Sequence, residues 1–356
     1  MNKYLSIFLI LIIKISFSNE KKTIDSIQFK CNTKHLPIPI EKKLSSISFG
    51  SCANENTEQL ILNDIVAKQP DLFIYLGDNV YVDSKKQQEF INIYSTLACK
   101  NEYINLVSKV PILATWDDHD YGKNDAGKFY SQKEFSKKCF LKFYQEPKNS
   151  QRYQHKGIYH SLYFGDPKHR VQIILLDTRT FRDNIKGTPI YYKQTKNPNH
   201  TILGEMQWKW LEQELSQPAT IRIIASSTQF GIEQNGWEAW ANFPLEQQKM
   251  ANIIEKTKAN GVIFISGDVH YAELSKKIFN NTYPIYDCTS SGITNVENNT
   301  RKNKFRISEA YSKVNYGNIT IDWDNIPIKL NYNIYTLNNE LLYQHQILLD
   351  EISFKP

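Results

Sequence analysis

Beyond its first residues this chain has no apolar run long enough to cross a membrane, which needs about 20 residues. It has no Gly-x-Ser-x-Gly elbow, no complete Gly-x-x-x-x-Gly-Lys-Ser/Thr phosphate loop and no dinucleotide fingerprint. Serine-hydrolase, nucleoside-triphosphatase and nicotinamide chemistry therefore lose their usual signatures. No internal repeat and no long Pro/Gly linker divides the 356 residues. Its basic residues are scattered, so the net charge of +6 marks no nucleic-acid site, which would need a patch or stripe. Cysteine is sparse at five, and the length permits a sizeable core without disulfide staples. With 41% hydrophobic and 22% charged residues the composition excludes a mainly disordered chain. The 21 Tyr, 18 Phe and 6 Trp favour sheet over a helical bundle.

The N-terminus reads as an export leader. Lys3 precedes the apolar run Leu5 to Ile13, and Ser16-Phe17-Ser18 is a small-x-small cleavage site. Lys14 interrupts the run, which argues against a membrane anchor, and no Arg pair precedes it, which points to the general secretory route. A signal peptide over 1–18 and a secreted or periplasmic mature chain are the expectation, with net charge +4 once Lys3 and Lys14 are removed. The cysteines then sit in an oxidising compartment. An odd number leaves at least one unpaired; if that is Cys52, then Cys31, Cys99, Cys139 and Cys288 allow three pairings. Sequons stand at Asn199, Asn280, Asn298 and Asn318.

Six apolar runs each lead into a polar cluster. They are Ile47–Phe49, Leu72–Leu76, Pro111–Thr115, Val171–Leu176, Ile221–Ala225 and Val262–Ile265. Such runs predict strands buried on both faces. Helical spacing between them over Thr57–Lys68, Met206–Leu215 and from Pro244 toward Gly261 predicts a layered α/β sheet. From Asn318 to Leu349 the period approaches two, with a turn at Asn338-Asn339, which predicts antiparallel strands closing a second sheet. Gly187–Asn199 and Asn295–Lys304 read as surface loops.

The polar clusters carry the chemistry. Asp78, Asp118, Asp268 and His270 each follow a strand, and ligand sites in such sheets gather beyond the strands' carboxyl ends. Mixed carboxylate and imidazole suit divalent or trivalent metals. Gly77 and Gly267 permit sharp turns that aim Asp78 and Asp268. Asp117-Asp118-His119-Asp120 is no EF-hand: counted from Asp118, Lys123 stands at position six and Phe129 at twelve. Its adjacent carboxylates would repel unless a cation screens them. A hydrolase built on Cys52 is an alternative that lacks the known family signatures.

These motifs, in chain order, resemble the PhoD-like (alkaline phosphatase D) family of metallophosphoesterases. The resemblance rests on Phe-Gly-Ser-Cys52, Gly-Asp78-Asn-Val-Tyr81, Trp-Asp-Asp118-His119-Asp-Tyr-Gly-Lys-Asn-Asp-Ala-Gly127, Leu-Asp177-Thr-Arg179, Leu-Gly204-x-x-Gln207-x-x-Trp210-Leu211, Ser-Ser-x-Gln229 and Ser-Gly-Asp268-Val-His270. It implies a four-layer α/β/β/α sandwich with mixed sheets over 45–350, with a catalytic core over 45–275 and closing strands over 276–350. Residues 19–44 form a short N-terminal segment where longer relatives carry an extra β domain. The resemblance further implies a two-metal centre, ferric iron plus calcium. Cys52, Asp78, Tyr81 and His270 would hold the first ion; Asp78 would bridge to a second held by Asp118 and Asp268, with Asp117 as a candidate alongside. His119 matches the catalytic histidine, with Asp120 orienting it. The expected substrate is a phosphate mono- or diester, attacked in line by a hydroxide generated from a metal-activated water. His119 would protonate the leaving oxygen, and Arg179 would clamp a phosphate oxygen. A monomer is expected. The rival reading is an idle exported metal- or phosphate-binding protein on the same fold.

Overall fold

The computed structural model describes residues 24–355. The leader call, residues 1–18, lies outside the described residues. All six apolar runs form strands: β1 (Ser46–Gly50), β2 (Leu72–Leu76), β3 (Ile112–Thr115), then, after β4 (His160–Phe164), β5 (Val171–Leu175), β6 (Ile221–Ser226) and β7 (Val262–Ser266). β8 (Ala272–Lys277), β9 (Ile285–Ser290), β10 (Tyr316–Asp322), β11 (Lys329–Tyr335) and β12 (Leu341–Leu348) complete two six-stranded mixed sheets. Their orders are β12-β11-β10-β1-β2-β3 and β4-β5-β6-β7-β9-β8. The alternating tail does form antiparallel strands, but they extend the sheet of β1 through β10 rather than closing a second one.

The side chains of β2 explain the layering. Successive strand residues point to opposite faces. Phe73 and Tyr75 join a cluster with the helices α1 (Ile61–Lys68), α2 (Gln87–Ala98), α3 (Asn101–Lys109) and α5 (Lys133–Phe143). Leu72, Ile74 and Leu76 pack instead with residues of the other sheet, such as Ile173 and Ile224, in a cluster that also takes in α6 (Gly204–Leu215) and α7 (Pro244–Thr257). The result is the α/β/β/α sandwich. α1 begins at Ile61 rather than Thr57, because Thr57 N–H turns back to the Asn54 carbonyl and Gln59 Nε2 donates to the Ala53 and Asn54 carbonyls. The one disulfide among the described residues joins Cys31 to Cys99 and ties the N-terminal segment to the end of α2. Cys139 and Cys288 form no disulfide with each other, because they are buried in different clusters on different layers.

Asn318, at the centre of β10, is fully buried and donates to Ser46 Oγ and Ser48 Oγ, each at 3.0 Å. Its sequon is thus closed in the folded chain, whereas Asn199, Asn280 and Asn298 are exposed. No described helix is long and apolar enough to cross a membrane.

Candidate metal centre

The parallel strands β1, β2, β3, β5, β6 and β7 deliver their carboxyl ends to one cleft of about 220 Å³. Cys52 follows β1, Asp78 follows β2, Asp117 and Asp118 follow β3, and Asp268 and His270 follow β7. Cys52, Asp78, Asp268 and His270 all adopt left-handed φ, at 61°, 50°, 74° and 62°. Such conformations cost about 1–3 kcal/mol each and cluster where a side chain must be aimed. Gly77 has φ of 107°, as expected of a sharp turn, and a Cβ there would lie 2.5 Å from Asp117 Cβ. Gly267 has no such φ; it is needed because a Cβ would collide with Ser51.

Four groups of side chains bring ligand atoms within 4.8 Å of one another: Cys52, Asp78 and His270; Asp78, Asp118 and His119; Asp117, Asp118 and Asp268; Asp118, Asp125 and Glu238. The first offers sulfur, oxygen and nitrogen, the donor mixture of a transition metal. The last two offer carboxylate oxygen alone, which suits a hard cation. Asp78 belongs to both the first and the second, the position of a bridging carboxylate. Tyr81 Oη is buried beside this group without a hydrogen-bond partner, and so is Asp117 Oδ2. Unpaired buried oxygens among carboxylates are costly unless a cation takes them up, so the residues present fit a metal centre.

The electrostatics agree. Burial, then Asp118 and Cys52, push Asp78 well above the ordinary carboxylate range. Burial raises Asp117 against the pull of Arg179, and raises Asp268 against Arg301. Burial also works on Asp118, yet Arg179 and His119 overcome it and hold its carboxyl below the usual value. Burial pushes the Cys52 thiol up to about 12, so without a cation it is a neutral thiol and no nucleophile. That removes the support for a Cys52-dependent hydrolase.

Three catalytic expectations meet different surroundings. His119 sits at the cleft, packed against Tyr81 with ring centroids 4.3 Å apart and planes tilted by 39°. Its Nδ1 pairs with Asp83 Oδ2 at 2.7 Å, not with Asp120. Asp120 instead accepts from the Asn79 and Asp117 backbone N–H groups, at 3.1 and 3.0 Å, and closes a capping box on the short helix α4 (Asp118–Tyr121). Neighbours on a helix face different ways, so Asp120 cannot orient the ring beside it. Burial acts against charge on His119, but Asp78, Asp83 and Asp118 outweigh it and lift the imidazole to about 10.

Arg179 is fully buried rather than facing the cleft. Its Nε donates to Asp117 Oδ1 at 2.5 Å and its Nη1 to both Glu238 oxygens at 2.8 Å. These pairs fix two acidic side chains, so a phosphate clamp is not the role its partners support. Ser227 Oγ also donates to Asp117 Oδ1, at 2.5 Å. Asp83, Asp125 and Glu238 escaped the sequence reading. Asp125 N–H donates to Asp118 Oδ2 at 2.5 Å, and Tyr192 Oη to Asp125 Oδ2 at 2.6 Å. Asp125 lies within the Asp-Tyr-Gly-Lys-Asn-Asp-Ala-Gly stretch and was open to suspicion; Glu238 stands in a loop with no local signature.

Two mixed sheets packed face to face between helices, with a cleft of Cys, Asp and His ligands at the strand ends, define the metallophosphoesterase sandwich. The family model for PhoD-like phosphatase matches residues 86–316, and the chain belongs to that family. Alkaline phosphatase D of Bacillus subtilis (strain 168) is 25% identical over an alignment 313 residues long that covers 73% of this chain and 53% of that protein. The chain thus spans about half the length of this curated relative. Among solved structures, that of PhoD superposes with a TM-score of 0.66 at 19% identity, covering 88% of this chain and 70% of PhoD. GAP50 of Plasmodium gives 0.55 at 13% identity, covering 86% of this chain and 90% of its own. A dimetal phosphatase from Danio rerio gives 0.51 at 8%, covering 87% and 99%. At these identities the superpositions establish the fold alone.

Proposed function

We propose that this chain is an exported, metal-dependent phosphoric-ester hydrolase acting on phosphate mono- or diesters. The observation that carries the reading is Asp78, shared between a Cys-Asp-His group and an Asp-Asp-His group beneath His119. Cys52, Asp78, Tyr81 and His270 would hold one cation, with ferric iron suited to thiolate and phenolate. Asp118 and Asp268 would hold the other, with calcium suited to oxygen ligands. When bound, such a pair neutralises phosphoryl charge and supplies an acidified water as nucleophile. The chain's own part is to fix the carboxylates, through Arg179 and Ser227, and to present the His119 imidazole for proton donation to the leaving oxygen. Export is supported by the leader-like N-terminus and by the Cys31–Cys99 disulfide.

A fold is not a function, and GAP50, on a similar sandwich, is described as an anchor in the inner membrane complex. The site decides between hydrolase and idle binder. The deciding experiment assays the mature chain on p-nitrophenyl phosphate and bis-p-nitrophenyl phosphate, with elemental analysis of the same sample. Hydrolysis with bound metal, lost on chelation, is the expected result, and the ratio of rates ranks monoester against diester. Bound metal with no hydrolysis of either ester overturns the reading in favour of a binding protein.

A further inference from the structure

The cleft is lined by six carboxylates: Asp78, Asp118, Asp125, Glu238, Asp268 and Glu297. Among its described lining residues a single Lys or Arg appears, Arg301. A phosphate approaching so acidic a mouth needs a cation with directional donors, and Arg179 is fully buried, its Nε and Nη1 taken by Asp117 and Glu238 and its Nη2 ion-paired with Asp117. Arg301 is built into place. Arg306 Nη2 donates to the Arg301 carbonyl at 2.6 Å, and Asn235 Nδ2 to the Lys302 carbonyl at 3.1 Å. Arg306 is itself paired with the buried Glu273, and Glu297 N–H ties the loop to the His270 carbonyl at 2.8 Å. The guanidinium carbon lies 4.2 Å from the Trp237 ring centroid, so the indole braces the charged group from one side. Its one hydrogen bond among the described residues is a long one, Nη1 to Asp268 Oδ2 at 3.4 Å, and the side chain is 13% exposed.

We infer that Arg301 is the substrate-binding arginine, its guanidinium fork donating to a non-bridging phosphate oxygen over Asp268 while Trp237 braces it. This rests on the hydrolase reading above, since it names the group that reads the phosphate of the same cleft. The planar fork, not charge alone, is what the geometry provides, so lysine replaces it only in part.

The test is calorimetric binding of inorganic phosphate to the mature, metal-loaded chain, alongside KM and kcat for p-nitrophenyl phosphate and metal content per chain. In R301Q the phosphate Kd is expected to rise about tenfold or more, with R301K between it and wild type. KM should follow in the same order, with kcat changed less and metal content constant. Phosphate affinity within about twofold of wild type in R301Q overturns the inference. So does loss of metal in step with loss of phosphate in both variants, which would assign Arg301 to Asp268 alone. A wild type that binds no phosphate overturns it outright. A wild type that binds phosphate but hydrolyses no ester defeats the hydrolase reading, and the ratio of R301Q to wild-type affinity still decides this one.

Discussion

His119 shows how a single contact sets a proton's position. With Nδ1 engaged by Asp83 at 2.7 Å, the other nitrogen is left for the cleft, and the tilted Tyr81 ring packs against the imidazole. If His119 donates a proton to the leaving oxygen, its loss should matter in proportion to how poor the leaving group is. His119→Ala is expected to lower kcat on an alkyl phosphate about 10²–10³-fold and on p-nitrophenyl phosphate far less, with metal content unchanged. Asp83→Ala should show the same leaving-group pattern at about tenfold. Equal losses on both substrates would assign the pair a merely structural role. The sequence placed His119 in the right cluster because Trp-Asp-Asp-His-Asp follows an apolar run. It could not place Asp83, which comes near the ring only because its own backbone turns left-handed, at φ of 41°. Asp120 was the natural guess from adjacency in the chain, and helix geometry is what overrules it.

Strands were the readable elements. β1, β2, β3, β5, β6 and β7 are buried almost throughout, so each shows as a mainly apolar run, broken inside only by Ser48, Gln172 and Arg222. α2 and α3 went unread although Phe90, Ile91, Tyr94, Leu97 and then Tyr103, Leu106, Val107 lie at helical spacing. The disulfide cysteine between them has an apolar run on neither side to mark a boundary. The turn after β2 is where an element's end governs the site. Gly77→Ala puts a methyl at φ of 107° and against both the side chain and the backbone of Asp117. The expected cost is about 2–4 kcal/mol, read as a lowered denaturant midpoint, together with loss of bound metal as Asp78 and Asp117 are pushed apart. Full stability with full metal content would show that this turn is slack.

At the scale of the whole molecule, the cleft gathers more acid than the fold can hold charged without a counter-ion. Burial raises Asp120 and Asp125 each to about 7 from an ordinary value of 3.8. Between those values the unfolded chain has released protons that the folded chain keeps, so stability falls as pH rises. Chelated protein should therefore lose stability steadily from about pH 4 to pH 7, and His119, lifted to about 10, extends the loss above that. Metal-loaded protein should lose less over the same range, because the cation binds the folded state and takes up the negative charge. Urea midpoints across that range, with and without chelator, check it; parallel profiles would mean that the carboxylates are satisfied without metal. The sandwich was legible as a whole from the order of its strand-end motifs. The joining of the tail to β1 was not, since a period of two fixes which face a strand buries but not which strand it lies beside.

Asn318 gives that joining a consequence for how the protein is made. A cell that attaches sugars to nascent chains meets an Asn-Ile-Thr acceptor that will later be the middle of a sheet, hydrogen-bonded to Ser46 and Ser48. Sugar transfer and docking of β10 on β1 compete for one side chain, and a chain glycosylated there can never complete its first sheet. The choice of production host thus decides what fraction of the chains can fold at all.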